Sequence, residues 1–320
     1  MTLYHLKNCI DRSYLVVVLF IGLFFAALMP GCSSVSTLKK KTLDITAGLK
    51  IKNQDFIKKA GIAVFENRTT FTKGDFEDNF QIHLVNTLKE ECPEMLLLLP
   101  DDPEYPEDLI ELPKMPSGQM DNLTLAKTGR QLGLNAIITG SFIDIRTDET
   151  ERGFWWFKEL ELFTQVQIGV EVYDVETGAK LLDESFIREI EMGSTEDEMA
   201  RPGREADPAL VNEAIIQIAT EMGNRICEAV EEQAWSGYII SSDGNKIVLS
   251  SGEKAGLKSG DILEVHESEN IINGAQDQRF FVPGLKTGEI RITDVYPERS
   301  EAVSVSGNEI KAGSSVRSKE

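Results

Sequence analysis

The first part of the chain alternates between buried strands and amphipathic helices. Residues 57–65 include the apolar run 61–65, which predicts a central strand because both of its faces are apolar. Asp75 can cap a helix that extends to about Glu91 and ends before Pro93. The apolar stripe of this helix consists of Phe76, Phe80, His83, Leu84 and Leu88. A second short buried strand is predicted at residues 95–99.

Two further elements follow a loop that is rich in proline and acidic residues. The loop covers residues 100–120. A second helix is predicted at residues 123–132, and Gly133 suits its C-terminal end. A long apolar strand is predicted at residues 135–145.

Period-two alternation is clearest at residues 160–173 and predicts a strand with one buried face. The apolar face carries Leu160, Leu162, Thr164, Val166, Ile168, Val170 and Val172. Residues 174–178 predict a hairpin turn, after which Leu182, Phe186 and Ile190 continue on a returning strand. An acidic loop at residues 192–207 precedes a helix from Pro208 to about Gln233.

The predicted order is therefore β-α-β-α-β-β-β-α over residues 56–234, which indicates an α+β fold. Local strand pairing with helices on one sheet face predicts a two-layer α/β sandwich. After Trp235, short strands alternate with glycine turns and predict a small all-β, barrel-like domain over residues 235–320. Its strands are expected at residues 237–240, 246–249, 261–265, 288–296 and 301–305.

The amino terminus carries an export pattern. Residues 15–29 are apolar and uncharged, and as a helix they would span about 22 Å, short of a hydrocarbon core of about 30 Å. This length favours a signal peptide over a permanent membrane anchor, which is the alternative. Pro30 and Gly31 end the helix before Cys32, and Met29-Pro30-Gly31-Cys32 resembles the lipobox of bacterial lipoproteins.

The lipobox resemblance implies a lipid-anchored protein. It predicts a signal peptide at residues 1–31, cleavage after Gly31, and acylation of Cys32 by chains such as palmitate. Ser33, rather than aspartate, follows the cysteine, and the sorting rule of many Gram-negative lipoproteins then implies the periplasmic face of the outer membrane. Residues 32–55 are expected to form a lipidated tether.

The net charge bears on the class of partner, and the cysteines bear on a possible disulfide. The formal net charge of −20 excludes nucleic acid as an expected partner, because affinity for phosphate backbones depends on lysine and arginine. Cys92 and Cys227 lie in the predicted body, and export would place them in an oxidising compartment. A disulfide between them and a pair of buried free thiols both remain open.

Candidate catalytic chemistry is sparse. The sequence has three histidines and no His-x-x-x-His, Cys-x-x-Cys, phosphate-binding loop or nucleophile-elbow motif. Acidic pairs such as Asp101 and Asp102 lie in predicted loops, where solvation accounts for them. We therefore expect no catalytic residues, no metal and no cofactor, and a protein that is not an enzyme.

Four consecutive aromatic residues form the most unusual local feature: Phe154, Trp155, Trp156 and Phe157. In an extended segment they would place large apolar groups on both faces. They are candidate contacts for a protein partner or a membrane, because aromatic side chains anchor both kinds of interface. The alternative is an edge strand whose second face is covered by a loop.

Residues 57–233 resemble the family of the curli secretion channel subunit and related outer-membrane lipoproteins. Three segments carry this resemblance, at residues 61–69, 136–141 and 170–178. It implies the sandwich fold, and relatives with this core include activators of cell-wall synthases and flagellar accessory proteins.

Residues 235–320 resemble the C-terminal domain of flagellar assembly protein T, a periplasmic component of the flagellar ring. The resemblance is carried by residues 237–240, 246–249, 252–257, 260–265 and 288–290. Residues 255–261 also look like part of a PDZ domain, but no convincing helix follows Val265.

We expect an outer-membrane lipoprotein that acts as a non-catalytic accessory or assembly factor. Its partners would be periplasmic or outer-membrane proteins of a flagellar, secretion or cell-wall machine, and a homo-oligomer is open. The alternatives are a pore-forming subunit like the curli channel, a PDZ-like peptide-binding lipoprotein, or an enzyme acting on glycans. A pore would need two long membrane hairpins, and only the strand at residues 160–172 is long enough.

Overall fold

A computed structural model describes residues 56–103, 105–154, 156–192, 206–244, 246–268, 270–307 and 310–319. The predicted signal peptide, the cleavage site at Gly31, the acylated Cys32 and the tether lie outside the described residues, as does most of the loop predicted at 192–207. The described residues from Phe56 onward belong to one compact unit.

The α/β part contains helices and strands in the order that its hydrophobic pattern predicts, with two short additions. The helices are α1 (Phe76–Glu91), α2 (Glu107–Ile110), α3 (Asn122–Gln131) and α4 (Pro208–Glu231). The strands are β1 (Lys59–Ile62), β2 (Glu66–Asn67), β3 (Leu96–Leu98), β4 (Ala136–Phe154), β5 (Phe157–Asp174) and β6 (Lys180–Glu191). The loop predicted at residues 100–120 includes α2.

These strands form one mixed sheet in the described residues, in the order β3-β1-β4-β5-β6, with β2 paired to β4. Strand β1 runs parallel to both β3 and β4, because helical crossovers connect them. Strands β4, β5 and β6 form an antiparallel meander. Short turns join the meander strands, so the antiparallel half of the sheet is local in sequence.

Helices α1 and α4 pack together on one face of the sheet and enclose its main core. The sheet contributes alternate residues of β4 and β5, such as Ile138, Val166 and Ile168, and all three are buried. Cys92 follows α1 and forms a disulfide with Cys227 of α4, with 5.9 Å between the Cα atoms. The bond therefore connects the two helices that cover this face.

The opposite face of the sheet is covered at one end by α2 and α3. A second core cluster joins Leu109 of α2 and Leu125 of α3 to Ile137 and Tyr173 of the sheet. A mixed α/β chain with a closed barrel is confirmed, but the two-layer arrangement is not. The physical reason is that β4 is apolar on both faces near its start, so both faces require cover.

Residues after Trp235 form a closed six-stranded barrel within the described ranges, in the order β12-β13-β8-β7-β14-β9. Its strands are β7 (Gly237–Asp243), β8 (Lys246–Leu249), β9 (Ile262–His266), β12 (Lys286–Val295), β13 (Ser300–Ser306) and β14 (Ser315–Ser318). A hairpin of β10 (Ile271–Asn273) and β11 (Arg279–Phe281) is inserted before β12. All barrel pairings are antiparallel, and the interior is apolar.

Candidate functional site

Strands β4 and β5 extend past the rest of the sheet as a two-stranded ribbon. The β4–β5 register runs from Ala136 opposite Asp174 to Phe154 opposite Phe157. Strand β6 follows β5 only as far as Phe163. Beyond it lie six cross-strand pairs, formed by residues 149–154 and 157–162, which we call the ribbon. At about 3.4 Å per pair the ribbon projects by about 20 Å.

Three of the four consecutive aromatic residues, Phe154, Trp156 and Phe157, lie at the end of the ribbon, which we call the tip. Phe154 and Phe157 form the last cross-strand pair, and the side chain of Trp156 in the turn is 70% exposed. Trp155 lies outside the described residues. The aromatic segment is thus a turn between two central strands rather than an edge strand.

A bulge in β4 determines which ribbon residues share a face. The β4–β5 register shifts between Phe142 and Asp144, so Ile143 is an extra residue on β4. From there on, odd-numbered residues of β4 lie opposite even-numbered residues of β5, as in the pair of Ile145 with Val166. By this register, Glu149 and Glu151 of β4 pair with Leu162 and Leu160 of β5. This face of the ribbon therefore carries both acidic and apolar residues.

A groove of about 340 Å³ lies on the open face of the sheet, between the meander and the segment after α2. Its floor includes Thr139 and Ser141 of β4, Gly169 of β5 and Ser185 of β6. Leu112, Lys114 and Met120 line one side. Gly169 keeps the floor open, because a Cβ there would lie 3.0 Å from Cδ1 of Ile143.

Charged groups at the rim of the groove pair with one another. Arg68 and Lys114 both contact Glu66, and hydrogen bonds from Arg68 hold the pKa of Glu66 below its ordinary value. On the other side, burial opposes the charge of Lys180, but its hydrogen bonds to Asp183 and Glu171 outweigh burial and raise its pKa. Glu66 and Lys180 therefore stay charged at neutral pH.

The groove reaches β6, the last strand in the order of the sheet. Among the described residues, β6 pairs only with β5, so its other side lies at the edge of the sheet. Ile187 on this strand is 45% exposed. An extended polypeptide can add to such an edge through main-chain hydrogen bonds.

Arg130 holds the α/β part against the barrel, at a contact that we call the joint. Its buried guanidinium donates to the backbone oxygens of Val175, Glu176 and Ser268, the last at 2.9 Å. It also lies 3.6 Å from the centre of the Phe281 ring. Val175 and Glu176 belong to the β5–β6 turn, whereas Ser268 follows β9 of the barrel and Phe281 lies on β11 of the inserted hairpin. One side chain therefore connects the α/β part to the C-terminal part.

Glu176 makes the reciprocal contact from the same turn. Its carboxylate accepts hydrogen bonds from the hydroxyls of Ser236 and Ser315 and from Arg317 at 2.6 Å. Nearby, Asn135 donates to the backbone oxygen of Ser236 at 2.9 Å. The joint is therefore polar and connects the two parts, and the Nε of Arg317 and the hydroxyl of Tyr238 are buried there without a hydrogen-bond partner.

The sequence analysis named no groove or joint residue as a site residue. Gly169 was an available signal, because a glycine in the middle of an alternating strand indicates an open or closely approached position. Among the described residues, no three His, Cys, Asp or Glu side chains are placed to hold a metal ion. No helix in the described ranges is both long and apolar enough to cross a bilayer.

No protein-family model matches the chain, and no curated protein sequence matches it. Solved structures share parts of the fold at low similarity. The hypothetical protein CT253 of Chlamydia trachomatis has 12% identity and a TM-score of 0.38, over 54% of this chain and 98% of that one.

Two lipoproteins are similar at the same level. Lipoprotein GNA1162 of Neisseria meningitidis has 10% identity and a TM-score of 0.28, over 52% of this chain and 99% of that one. A minor lipoprotein of Acinetobacter baumannii has 11% identity and a TM-score of 0.28, over 54% and 94%. Likeness this weak supports no inference about function, so the resemblances to the curli channel subunit and to flagellar assembly protein T stay predictions.

Proposed function

We propose that the protein is a lipid-anchored, non-catalytic accessory factor that binds an extended segment of a protein partner in the bacterial envelope. The observation that carries this proposal is the groove that reaches β6, which pairs only with β5 among the described residues. A strand added at β6 would gain backbone hydrogen bonds, and its side chains would enter the groove. The lipobox at residues 29–32 supports anchoring, with the periplasmic face of the outer membrane as the proposed location.

The electrostatics of the groove favour binding over catalysis. A general acid or base works best when its pKa lies near the working pH. Here the pKa of Glu66 is lowered by Arg68, and the pKa of Lys180 is raised by Asp183 and Glu171 despite burial. Both groups are therefore held in their charged forms, which suits recognition of a polar partner and not proton transfer.

The joint also supports a scaffolding role. A polar contact through Arg130 and Glu176 connects the barrel and the α/β part. A pre-ordered body binds a partner at a lower entropic cost than two loosely connected domains. We propose that the partner belongs to a flagellar, secretion or cell-wall assembly, in line with the two family resemblances.

Site-specific photocrosslinking in intact cells tests partner binding. A photoreactive phenylalanine analogue replaces Ile187 beside the groove or, as the matched control, Ile216 on α4, which is 41% exposed. We expect an adduct of discrete mass from position 187 that is absent at position 216. Equal adduct patterns from both positions, or none from position 187, would contradict a partner site at β6.

A further inference from the structure

We propose that the groove binds an extended polypeptide segment that crosses the sheet from β6 toward β4 and carries a lysine or arginine at the β6 end of the groove. This inference rests on the proposed function and adds the chemistry of the partner segment. Three features of the groove carry it: a row of small residues across its floor, a buried hydroxyl that faces it, and an excess of carboxylates at its β6 end.

Three small residues lie side by side across the floor of the groove. The register pairs Ser141 of β4 with Gly169 of β5, and Gly169 with Ser185 of β6, and we call these residues the floor row. With about 4.8 Å between neighbouring strands, the floor row is about 10 Å long, which is the length of about three extended residues. The next row toward α3 consists of Thr139, Glu171 and Asp183. A chain that lies across the strands would therefore pass over small residues beside polar ones.

The hydroxyl of Ser141 is available to a ligand. Ser141 is only 8% exposed and lines the groove, and within the described part of the chain its hydroxyl makes no hydrogen bond. A buried hydroxyl without a partner destabilises a fold. The hydroxyl of Ser185, in contrast, accepts a hydrogen bond from Gln167 at 2.9 Å. A backbone amide or carbonyl of a segment in the groove would pair with the Ser141 hydroxyl.

Gly169 leaves the middle of the floor row without a side chain, although the fold does not require glycine there. Its φ is not in the left-handed region. The nearest neighbour of a Cβ would be Cδ1 of Ile143 at 3.0 Å, and this side chain is 40% exposed and can move aside. In a central strand, glycine is less stable than alanine or a β-branched residue. The space above Gly169 therefore serves the groove and not the stability of the sheet.

Carboxylates predominate at the β6 end of the groove. The charged groups at and next to this end are the carboxylates of Glu171, Asp183, Glu184 and Glu228 and the cations of Lys180 and Arg225. A lysine or arginine of the partner would be attracted there, and an acidic residue would be repelled. The opposite end has an excess of cations, because Arg68 and Lys114 share Glu66. The net charge of −20 also favours the approach of a basic segment.

Selection from a library of phage-displayed decapeptides tests the chemistry of the segment. The full-length parent and a Gly169→Thr variant are immobilised in detergent, and the recovered sequences are compared. We expect peptides selected by the parent to be enriched in lysine and arginine and depleted in aspartate and glutamate. Gly169→Thr should recover no common sequence, and its unfolding temperature should equal or exceed that of the parent, since threonine suits a strand better than glycine.

The affinity of the best selected peptide, measured by fluorescence anisotropy, assigns the contacts. Gly169→Thr should weaken binding about tenfold or more, because its side chain fills the middle of the floor row. Ser141→Ala should weaken binding about 3- to 10-fold through the loss of one hydrogen bond. Asp183→Asn with Glu184→Gln should weaken it too, and the loss should be larger at low salt than at high salt.

Matched controls lie in the C-terminal part, away from the groove. Ser242→Thr places a threonine on β7, and Asp243→Asn with Glu253→Gln removes two exposed carboxylates. Both controls should bind the peptide like the parent. A loss of affinity in the controls equal to that in the groove variants would overturn the inference, because binding would then not depend on the groove.

The remaining outcomes separate this inference from the proposed function. Acidic or uncharged selected peptides, no selected peptide, or parent-like binding by Gly169→Thr would overturn the inference. An adduct from position 187 in cells would in each case leave a partner site at β6 standing. If Gly169→Thr is less stable than the parent, the other two groove variants decide, and unchanged affinity in both would overturn the inference.

Discussion

Arg130 is a single residue that contacts both the α/β part and the C-terminal part of the molecule. Its guanidinium is buried, stacks on Phe281 and satisfies backbone oxygens on both sides of the joint. A lysine could not supply the same planar set of donors. The sequence did not single it out, because in a helix a basic residue near the C-terminus is ordinarily a solvated group.

Replacing Arg130 with alanine should lower the free energy of unfolding by roughly 3–5 kcal/mol, because several buried carbonyls lose their donor at once. Urea unfolding followed by circular dichroism measures the loss. Arg225→Ala is the control, since Arg225 forms exposed ion pairs with Glu184 and Glu228, and removing such pairs costs less than about 1 kcal/mol. Equal losses in the two variants would show that the joint does not depend on Arg130.

Glu298 should make a second contact between the α/β part and the C-terminal part sensitive to acid. Burial alone would raise its pKa, but hydrogen bonds from Lys254 and Lys59 outweigh burial and hold the pKa below its ordinary value of 4.5. Because the pKa of this carboxyl is lower in the folded state than in the unfolded state, the charged carboxylate stabilises the fold above pH 4.5. This stabilisation is lost as the pH falls through the folded-state pKa. Lys59 belongs to β1 and Glu298 to the turn after β12, so the ion pair joins the two parts.

Glu298→Gln should therefore destabilise the protein at pH 7 by less than about 1 kcal/mol, and the difference from the parent should shrink below pH 4.5. Thermal unfolding between pH 3 and pH 7 measures both. A difference that stays constant across this range would assign the effect to packing and not to charge.

At the scale of elements, long periodic segments were predictable and short polar ones were not. The prediction for β4 ended at residue 145, but the strand continues to Phe154. The bulge at Ile143 reverses the alternation, and the charged residues that follow have no apolar face to reveal a strand. Strand β14 was missed for a similar reason, since Ser315–Ser318 is short and polar although it closes the barrel.

The disulfide should stabilise the packing of α1 against α4. It joins cysteines that are 135 residues apart, and closing so long a loop in the unfolded chain is worth about 2–5 kcal/mol. Cys92→Ala with Cys227→Ala should lose that stability, and reductant should no longer affect the variant. Thermal unfolding with and without dithiothreitol provides the comparison. A parent protein that is insensitive to reductant while unfolding would contradict this role.

Gly133 ends α3 where that helix approaches the barrel. Its φ is +67°, and a Cβ would lie 2.0 Å from the backbone oxygen of Ser250. Gly133→Ala should therefore lower the stability by about 3 kcal/mol, from backbone strain and overpacking together. Gly118→Ala is the matched control, because its φ is +85° and no atom lies within 4 Å of its Cβ position. Chemical denaturation should give only about 1 kcal/mol for the control, and similar losses would rule out the close approach.

At the scale of the whole molecule, the mixed α/β composition and the C-terminal barrel follow from patterns in the sequence. The cover on the second sheet face and the joint do not, because they depend on contacts between residues far apart in the chain. The candidate surfaces also differ in how far the sequence predicts them. The aromatic residues 154–157 form a recognisable run in the sequence, whereas the groove forms only when β4, β5 and β6 lie side by side.

The whole-molecule account combines the proposed anchor at Cys32 with a body that presents a groove beside β6. The proposed anchor would bring this groove to envelope proteins. The proposed function therefore depends on one covalent event, the acylation of Cys32.

Mass spectrometry of the amino-terminal peptide, from protein purified out of bacterial membranes, tests that event most directly. The account predicts a mature chain that begins at Cys32 and carries fatty acyl groups, and a Cys32→Ser variant that is neither acylated nor cut after Gly31. A parent chain that starts elsewhere without fatty acid, or a Cys32→Ser variant processed and fractionated like the parent, would contradict it.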